Sequence, residues 1–373
     1  MPIEPTNSTF QAAARRSMAL ECELQAHPER FRVLTGDRPT GPLHIGHLFG
    51  TLLNRVRMQE LGLDVFVLIA DYQTITDRDS PETIKADVLG LVADYLAVGI
   101  DPDRATIFAH SQVAELNQLL IPFMSLVSVA ELERNPTVKD EFATSGGVSM
   151  NALMFSYPVH QAADILFCRA NVVPVGKDQL PHLELARLIG RRFNDRYCPD
   201  APLFPEPTAL LSHAPLVLGL DGDKMSKSRN NSISLAMGAD ETARRIKGAK
   251  TDSERRITFD PVRRPEVSNL LLITSLCTGV DPETIAGEIG EGGSGELKGR
   301  LTEALNERLR PIRERRCQLL DDPAQLSGLM ARGQERAREI AVQTLGKVHE
   351  LMHMSYELRP GPPSTDRAEV DAL

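Results

Sequence analysis

Long apolar segments are missing from this 373-residue sequence. A membrane-spanning helix requires a run of about 20 mostly apolar residues, and no stretch of the chain approaches that length. The N-terminal segment MPIEPTNSTFQAAARRSMALECELQ contains neither the apolar centre nor the cleavage site of a secretory signal peptide. These absences argue against an integral membrane protein and against secretion.

Cysteine is scarce, and its five residues are scattered without any C-x-x-C pair. An odd and dispersed set argues against a disulfide framework or a zinc site and is typical of reduced thiols, so we expect a cytoplasmic protein. The phosphate-binding loop G-x-x-x-x-G-K-[ST] is also absent, which argues against a P-loop nucleotide enzyme.

The sequence has no overall excess of positive charge. Lys and Arg number 42 against 51 Asp and Glu, a net charge of −9, which argues against a protein that binds nucleic acid through its overall charge. Two segments depart from this balance: residues 224–250 carry seven basic and two acidic side chains, and residues 297–317 carry seven and three. Such runs are usually solvated helix faces, but both lie in the C-terminal part of the chain.

Strand and helix patterns alternate in the first half of the chain. Residues 65–70, VFVLIA, form a continuous apolar run of the kind found in parallel strands buried on both faces. Residues 31–35, 105–109 and 171–175 give further short apolar strands, and a helix with apolar residues at helical spacing begins near Pro81. Strands and helices in this order predict an α/β fold with a doubly wound parallel sheet.

Strand patterns disappear after about residue 230. Residues 237–355 indicate helices separated by turns that contain Gly and Pro, and we expect Pro311 to kink or end its helix. The domain prediction is an N-terminal extension (1–30), a doubly wound catalytic domain (31–232) with a helical insertion at about 112–155, an all-helical domain (233–355) and a disordered tail (356–373).

A histidine signature, HIGH at residues 44–47, follows the first strand and enters a helix. The two histidines are three residues apart, so both rings project from one face of the first helical turn. That turn also presents unpaired backbone N–H groups and the positive end of the helix dipole, which suit polyphosphate oxygens. Gly46 leaves room for a ribose or a base to approach the backbone.

A lysine loop, KMSKS at residues 224–228, lies 180 residues further along the chain. Lys224 and Lys227 are three residues apart in a glycine-flanked loop. Such a loop can close on a phosphate chain whose negative charge shifts during a reaction.

The histidine signature and the lysine loop together resemble the paired signature of class I aminoacyl-tRNA synthetases. Residues 157–165 (YPVHQAADI) and 172–179 (VVPVGKDQ) resemble the branch of that class that is specific for tryptophan and tyrosine, and residues 182–194 are similar to its tryptophan-specific members. The resemblance covers roughly residues 31–350 and implies a Rossmann-like catalytic domain. It also implies that ATP, with Mg²⁺ on its phosphates, and an amino acid form an adenylate that is then transferred to tRNA.

The resemblance assigns most of the site residues. His44, His47, Lys224 and Lys227 would be catalytic. The positions that match the ATP site of the family are Arg38, Pro39, Thr40, Gly46, His47, Gly176, Lys177, Asp178, Gln179, Val217, Lys224, Met225, Ser226, Lys227 and Ser228. The positions that match the tryptophan site are Leu34, Tyr157, Gln161, Asp164, Val173 and Val175.

Tryptophan is the favoured substrate. An indole N–H is only a donor, so the Asp164 carboxylate is a suitable acceptor, although a phenol O–H would suit it too. Tyrosine-specific members carry a second hydroxyl donor where this chain has Leu34, which only packs against a ring. A lost buried polar partner of this kind is worth discrimination of about 10⁴–10⁵.

Three positions depart from the common bacterial pattern of the tryptophan-specific members. Arg38 and Gln161 stand where many have Gln and Met, and Gln73 replaces a histidine in the element at residues 71–76. These changes resemble the auxiliary type that some bacteria carry as a second copy.

Two alternatives to a tryptophan-specific ligase stay open. One is the tyrosine-specific enzyme, and the other is a paralogue with a binding or regulatory role and weak aminoacylation. The resemblance also implies a homodimer whose helical domain binds the anticodon region of tRNA-Trp. No membrane partner is expected, because long apolar segments are missing.

Overall fold

The computed structural model describes residues 7–76, 81–136, 138–139, 151–176, 179–211, 216–226 and 229–356. In these ranges the elements run from α1 to α14 and from β1 to β5. They are α1 (Asn7–Ala26), β1 (Arg32–Asp37), α2 (Ile45–His47), α3 (Leu53–Glu60), β2 (Asp64–Ile69), α4 (Ile84–Val98), β3 (Ala105–Ala109), α5 (Ala114–Gln118), α6 (Leu120–Met124), α7 (Val129–Arg134), α8 (Ala152–Phe167), β4 (Val172–Val175), α9 (Leu180–Tyr197), β5 (Thr208–Leu211), α10 (Ala239–Lys247), α11 (Pro265–Thr278), α12 (Pro282–Ile289), α13 (Gly293–Leu320) and α14 (Pro323–Leu351).

The five strands form one parallel sheet in the order β3-β2-β1-β4-β5. The chain builds outward from β1 through β2 to β3 and then returns to the other side of β1 for β4 and β5. The strand order therefore reverses between β1 and β4, and open α/β sheets bind ligands at the carboxyl ends of the strands at such a point. The predicted doubly wound sheet is confirmed, although the sequence patterns did not reveal β5.

Both faces of the sheet are buried. In β2, Val65, Val67 and Ile69 belong to one hydrophobic cluster, whereas Phe66 and Leu68 belong to a second cluster on the opposite face. This alternation follows from the two-residue period of a strand. Because both faces are apolar, the strand reads as the continuous run that the sequence shows.

The N-terminal extension packs against the edge of the sheet. Its helix α1 lies against β5, where the Ser17 hydroxyl oxygen accepts a hydrogen bond from the backbone N–H of Leu211 at 2.9 Å. Leu20 and Leu24 of the same helix are buried in the first cluster. The extension thus covers an edge strand whose backbone groups would otherwise be exposed.

The C-terminal helices share a core with the sheet. Leu297, Leu301, Leu305 and Leu309 repeat every four residues along α13 and are buried in the same cluster as β2. The boundary predicted at residue 233 therefore remains a proposal, because one hydrophobic core spans it. Within the described ranges, no helix combines the length and apolar character that a bilayer crossing requires.

Pro311 is predicted to kink or end its helix, and the second of these outcomes is wrong. Helix α13 continues through Pro311 to Leu320. Pro311 lies on the exposed face, while Leu309 and Ile312 on either side are buried. Solvent can satisfy the carbonyl group that loses its helical partner, and the buried side chains hold the helix together across this position.

Candidate active site

The histidine signature lies at the carboxyl end of β1. His44 is the N-cap of α2, and its ring centroid is 3.8 Å from that of His47. The backbone N–H of His44 donates to Nδ1 of His47 at 3.2 Å. When Nδ1 accepts, the proton of a neutral His47 ring sits on Nε2, so that atom is a donor suited to a phosphate oxygen. The expected shared face of the two rings is present.

Backbone pairing joins the histidine signature to the segment just after the lysine loop. The N–H of Ile45 donates to the carbonyl oxygen of Ile233 at 3.0 Å, and the N–H of Leu235 donates to that of Leu43 at 2.8 Å. A Cβ at Gly46 would stand 3.2 Å from Sδ of Met225 in the lysine loop. The fold therefore brings together two signatures that are 180 residues apart in the sequence.

Asn231 organises the lysine loop. Its Oδ1 accepts the N–H of Ser226 at 2.8 Å, and its Nδ2 donates to the carbonyl oxygen of Lys224 at 3.1 Å and to Oδ1 of Asp221 at 2.8 Å. Asn231 is buried while Lys224 is exposed, so the loop has a fixed base and a solvent-facing cation. Lys227 and Ser228 lie outside the described residues.

The other positions predicted for ATP follow the ends of β1 and β4. Arg38 and Thr40 are half-buried and Pro39 is buried, all directly after β1. Gly176 is exposed at the end of β4, and half-buried Gln179 precedes α9; Lys177 and Asp178 between them lie outside the described residues. Val217 is buried in the first hydrophobic cluster, and its role over adenine stays a prediction.

The positions predicted for tryptophan centre on α8. Tyr157, Gln161 and Asp164 are spaced by four and three residues and therefore share one face of this helix. Asp164 is 1% exposed, whereas Tyr157 and Gln161 are half-buried. These side chains therefore form a face with one deeply buried carboxylate.

Two strands supply the apolar positions predicted for the same pocket. Leu34 of β1 and Val173 of β4 belong to the second hydrophobic cluster, and half-buried Val175 packs against it. Residues of α8, among them Ala162 and Ala163, belong to the same cluster. The apolar candidates and the helix that carries Asp164 thus share one face of the sheet.

Comparison with known proteins assigns this arrangement to a family. The model of "tRNA synthetases class I (W and Y)" matches residues 26–310. The tryptophan–tRNA ligases of Streptococcus pneumoniae and Streptococcus agalactiae are 43% and 40% identical, and each alignment covers 87% of this chain and 98% of the relative. The tryptophanyl-tRNA synthetase of Campylobacter jejuni, solved with ADP and tryptophan, superimposes with a TM-score of 0.76 at 33% identity over 86% of this chain and 99% of that one.

The chain belongs to the tryptophan–tRNA ligase family of class I synthetases. The family resemblance drawn from the two signatures and residues 157–179 is confirmed. Relatives share the sequence over nearly their whole length, so the common core includes both the sheet and most of the C-terminal helices.

Sequence patterns missed two functional candidates in this member of the family. Nε2 of His110 lies 2.7 Å from Oδ1 of Asp164, and the His110 and His160 ring centroids are 4.5 Å apart. Both rings are buried. His160 is adjacent to Gln161 in the segment at residues 157–165, but nothing in the sequence indicates that His110, 54 residues before Asp164, contacts Asp164.

A buried ionic cluster supports the start of the site. Nη1 of Arg55 lies 2.5 Å from Oδ2 of Asp37, and the Tyr95 hydroxyl donates to the same oxygen at 2.7 Å. Burial favours the protonated form of Asp37, but the charge and hydrogen bond of Arg55 outweigh it and lower the pKa of Asp37 to about 2. Burial and the neighbouring Asp37 carboxylate raise the pKa of Tyr95 well above its ordinary value, so the phenol stays a donor. The cluster holds the end of β1 directly before Arg38.

Proposed function

We propose that the protein activates L-tryptophan with ATP and transfers it to tRNA-Trp. The observation that carries this proposal is the backbone pairing of the histidine signature with the segment after the lysine loop, beside the sheet position where the strand order reverses. Donors from two segments that are distant in the sequence converge there.

The first step is a displacement at phosphorus. A carboxylate oxygen of tryptophan attacks the α-phosphorus of ATP, a P–O bond forms, and the bond to the β,γ-pyrophosphate breaks as pyrophosphate leaves. The attacking carboxylate is already ionised, so no general base is required. His47 and Lys224, with Lys227 carried over from the family, supply donors and positive charge to phosphate oxygens, and catalysis is mainly positioning and electrostatic stabilisation. Mg²⁺ enters with ATP as part of the substrate.

The second step is acyl transfer. A hydroxyl of the terminal ribose of tRNA-Trp attacks the carbonyl carbon of the adenylate, an ester bond forms, and AMP leaves. In the relatives' manner, the C-terminal helices would contact the anticodon region. Exposed Arg308 and Arg315 on α13 are available for this contact, whereas Arg313 and Arg316 of the same basic run bind other protein groups.

Amino-acid specificity rests on Asp164 and Leu34. The Asp164 carboxylate accepts the indole N–H, and Leu34 offers no second partner for a phenol. Tyr157 and Gln161 would hold the substrate ammonium group, and Val173 and Val175 would pack against the ring.

Amino-acid-dependent ATP–pyrophosphate exchange tests the reaction and the substrate together. Tryptophan and tyrosine are run side by side on the same folded protein. We expect exchange with tryptophan only. Exchange with tyrosine would refute the pocket assignment, and the absence of exchange with either would favour the non-catalytic paralogue.

Replacement of Asp164 tests the pocket. For Asp164→Ala we expect kcat/KM for tryptophan in the exchange assay to fall, because a hydrogen bond to a charged group is lost. The fall should correspond to a loss of about 2–3 kcal/mol in transition-state stabilisation. Glu184→Ala, which removes an exposed carboxylate from α9, is the control. Unchanged kinetics would remove Asp164 from the pocket.

The proposal also includes a homodimer, carried over from the family resemblance, and a cytoplasmic location, which the dispersed cysteines predict. Light scattering of the purified full chain measures its mass in solution, and fractionation of the source cells locates it. A monomer that is fully active would contradict the first part.

A further inference from the structure

Two buried histidines surround Asp164 and have no role in the steps above. His110 follows β3 and is 0% exposed, and His160 lies on α8 and is 3% exposed. Nε2 of His110 is 2.7 Å from Oδ1 of Asp164. Among the described residues, no other side chain or backbone donor is found on the Asp164 carboxylate.

We propose that His110 is a positioning residue that occupies one oxygen of Asp164 and thereby presents the other to the indole N–H. This inference rests on the proposed role of Asp164. A carboxylate rotates about its Cβ–Cγ bond unless a donor holds it. Nε2 of His110 carries a proton when it faces this acceptor, whether the ring is neutral or charged, so it holds Oδ1 and leaves Oδ2 for the substrate.

His110 is restrained through its backbone, through the next residue and through its ring. Nδ2 of Asn117 donates to the His110 carbonyl oxygen at 2.8 Å, and the next residue, Ser111, donates its hydroxyl to Asp71 at 2.5 Å. The Tyr72 ring stacks on the imidazole with centroids 6.2 Å apart and planes 20° apart. Because His110 is restrained in this way, it holds the Asp164 carboxylate in one orientation.

His160 completes the arrangement as a neutral neighbour. Nδ2 of Asn117 donates to two carbonyl oxygens, those of His110 and Val113, so its Oδ1 faces His160 as an acceptor at 2.7 Å. Nε2 of His160 is therefore the protonated nitrogen. Burial lowers the pKa of His160, which favours the neutral ring beside His110. The pocket thus avoids two adjacent imidazolium charges near the substrate ammonium group.

The same three side chains, His110, His160 and Asp164, have ligand atoms within 4.8 Å of one another, a spacing that also suits a metal ion. The hydrogen bonds favour the positioning role. Nε2 of His110 is engaged by Asp164 and Nε2 of His160 by Asn117, so a metal bound to those atoms would displace both bonds. A metal site is therefore an outcome that the experiment must exclude.

The experiment compares tryptophan with β-(3-benzothienyl)-L-alanine, in which sulfur replaces the indole N–H, by ATP–pyrophosphate exchange. The ratio of the two kcat/KM values measures recognition of the N–H group. We expect a ratio of about 10 to 150 in the unmodified protein, the range for a hydrogen bond to a charged group. In His110→Asn, whose amide is too short to reach Asp164, we expect the ratio to fall about threefold or more.

His110→Gln is the matched variant, because its longer amide places an N–H near the position of the imidazole Nε2. We expect it to retain most of the ratio, which a merely structural role of His110 would not predict. Thr106→Val controls for a polar change at a buried site on β3, since the Thr106 hydroxyl has no hydrogen-bond partner among the described residues. It should leave the ratio unchanged. Circular dichroism verifies that each variant is folded.

Each result has a distinct meaning. If the unmodified protein does not distinguish the two substrates, Asp164 does not bind the indole N–H, and the proposed pocket fails together with this inference. If it does distinguish them but His110→Asn keeps the full ratio, only the role of His110 is refuted. Loss of tryptophan binding on treatment with a chelator, restored by Zn²⁺, would replace the positioning role with a metal site.

Discussion

Burial and hydrogen-bond partners determine whether a single residue such as Asp37 is ionised. Asp37 ends β1 with its carboxylate against Arg55 and Tyr95, and it remains ionised although burial opposes the charge. A carboxylate in a solvated loop would have no such partners and no comparable pKa shift. Its environment makes it a source of pH-dependent stability.

Replacement of Asp37 gives a prediction with a definite sign. The folded-state pKa of about 2 lies below the ordinary value of 3.8, so Asp37 stabilises the fold above pH 3.8 and loses this contribution as the pH falls through 2. The difference corresponds to about 2 kcal/mol. We therefore expect urea unfolding to show Asp37→Asn less stable by about that amount at pH 6, with the gap closing below pH 4.

The control for this measurement is Asp200→Asn, which removes a charge from an exposed loop position. A stability gap for Asp37→Asn that stays constant between pH 6 and pH 2 would show that the ion pair with Arg55 does not set the state of Asp37.

Helix α14 and strand β3 meet at a glycine, where no side chain would fit. Helix α14 covers the edge strand β3, and a Cβ at Gly333 would lie 2.0 Å from the carbonyl oxygen of Ile107. That neighbour is backbone within the sheet and cannot move aside. The close contact allows a helix to shield the strand edge.

Glycine replacements within α14 separate helix propensity from packing. Alanine is favoured over glycine by about 1 kcal/mol in a helix, so Gly328→Ala, which meets no atom within 4 Å, should stabilise the protein by up to that amount. For Gly333→Ala we expect a net loss of about 1–3 kcal/mol, because the clash outweighs the gain. Denaturant unfolding measures both. Equal stabilisation by the two changes would contradict the contact between α14 and β3.

At the scale of the whole molecule, one buried carboxylate links the C-terminal helices to the histidine signature. Oδ2 of Asp94 accepts the N–H of Leu43 at 2.9 Å, directly before His44, and Oδ1 accepts from Nε of Arg316 on α13 at 2.6 Å. Asp94 is fully buried. The helical part of the chain therefore helps to position the segment that we assign to ATP.

Removal of Arg316 tests this link. In Arg316→Leu the Asp94 carboxylate loses its charged partner, and we expect a loss of about 3 kcal/mol in unfolding free energy together with slower ATP–pyrophosphate exchange. Arg315→Leu, at the exposed neighbouring position, should change neither. Normal exchange by a destabilised Arg316→Leu protein would indicate that the link supports the fold alone.

Local sequence patterns predict a structural element correctly where the residues of that element alone determine its structure. The strand at Ala105–Ala109 has the predicted bounds, and the runs near residues 31–35 and 65–70 lie in β1 and β2, because an apolar run buried on two faces needs no information from elsewhere. The proximity of the His44 and His47 rings likewise follows from their separation of three residues, from the N-cap to the first turn of α2. The family resemblance likewise depends on short motifs with strict residue requirements.

Other features depend on partners far away in the sequence. The four residues of β5 are too few to show a pattern, and this strand is stabilised by pairing with β4 and by the Ser17 contact from α1. Pro311 has a local tendency to end a helix, yet neighbouring buried side chains keep α13 continuous.

The sequence by itself determined the α/β class, the two signatures and the family, because each depends on residue types at short spacing. Only the tertiary structure decided which distant groups meet: His110 on Asp164, and Asp94 between Leu43 and Arg316. Hydrogen bonds act over about 3 Å, whereas these partners are separated by 51 to 222 residues along the chain. Their pairing is a consequence of strand order and core packing that no local pattern contains.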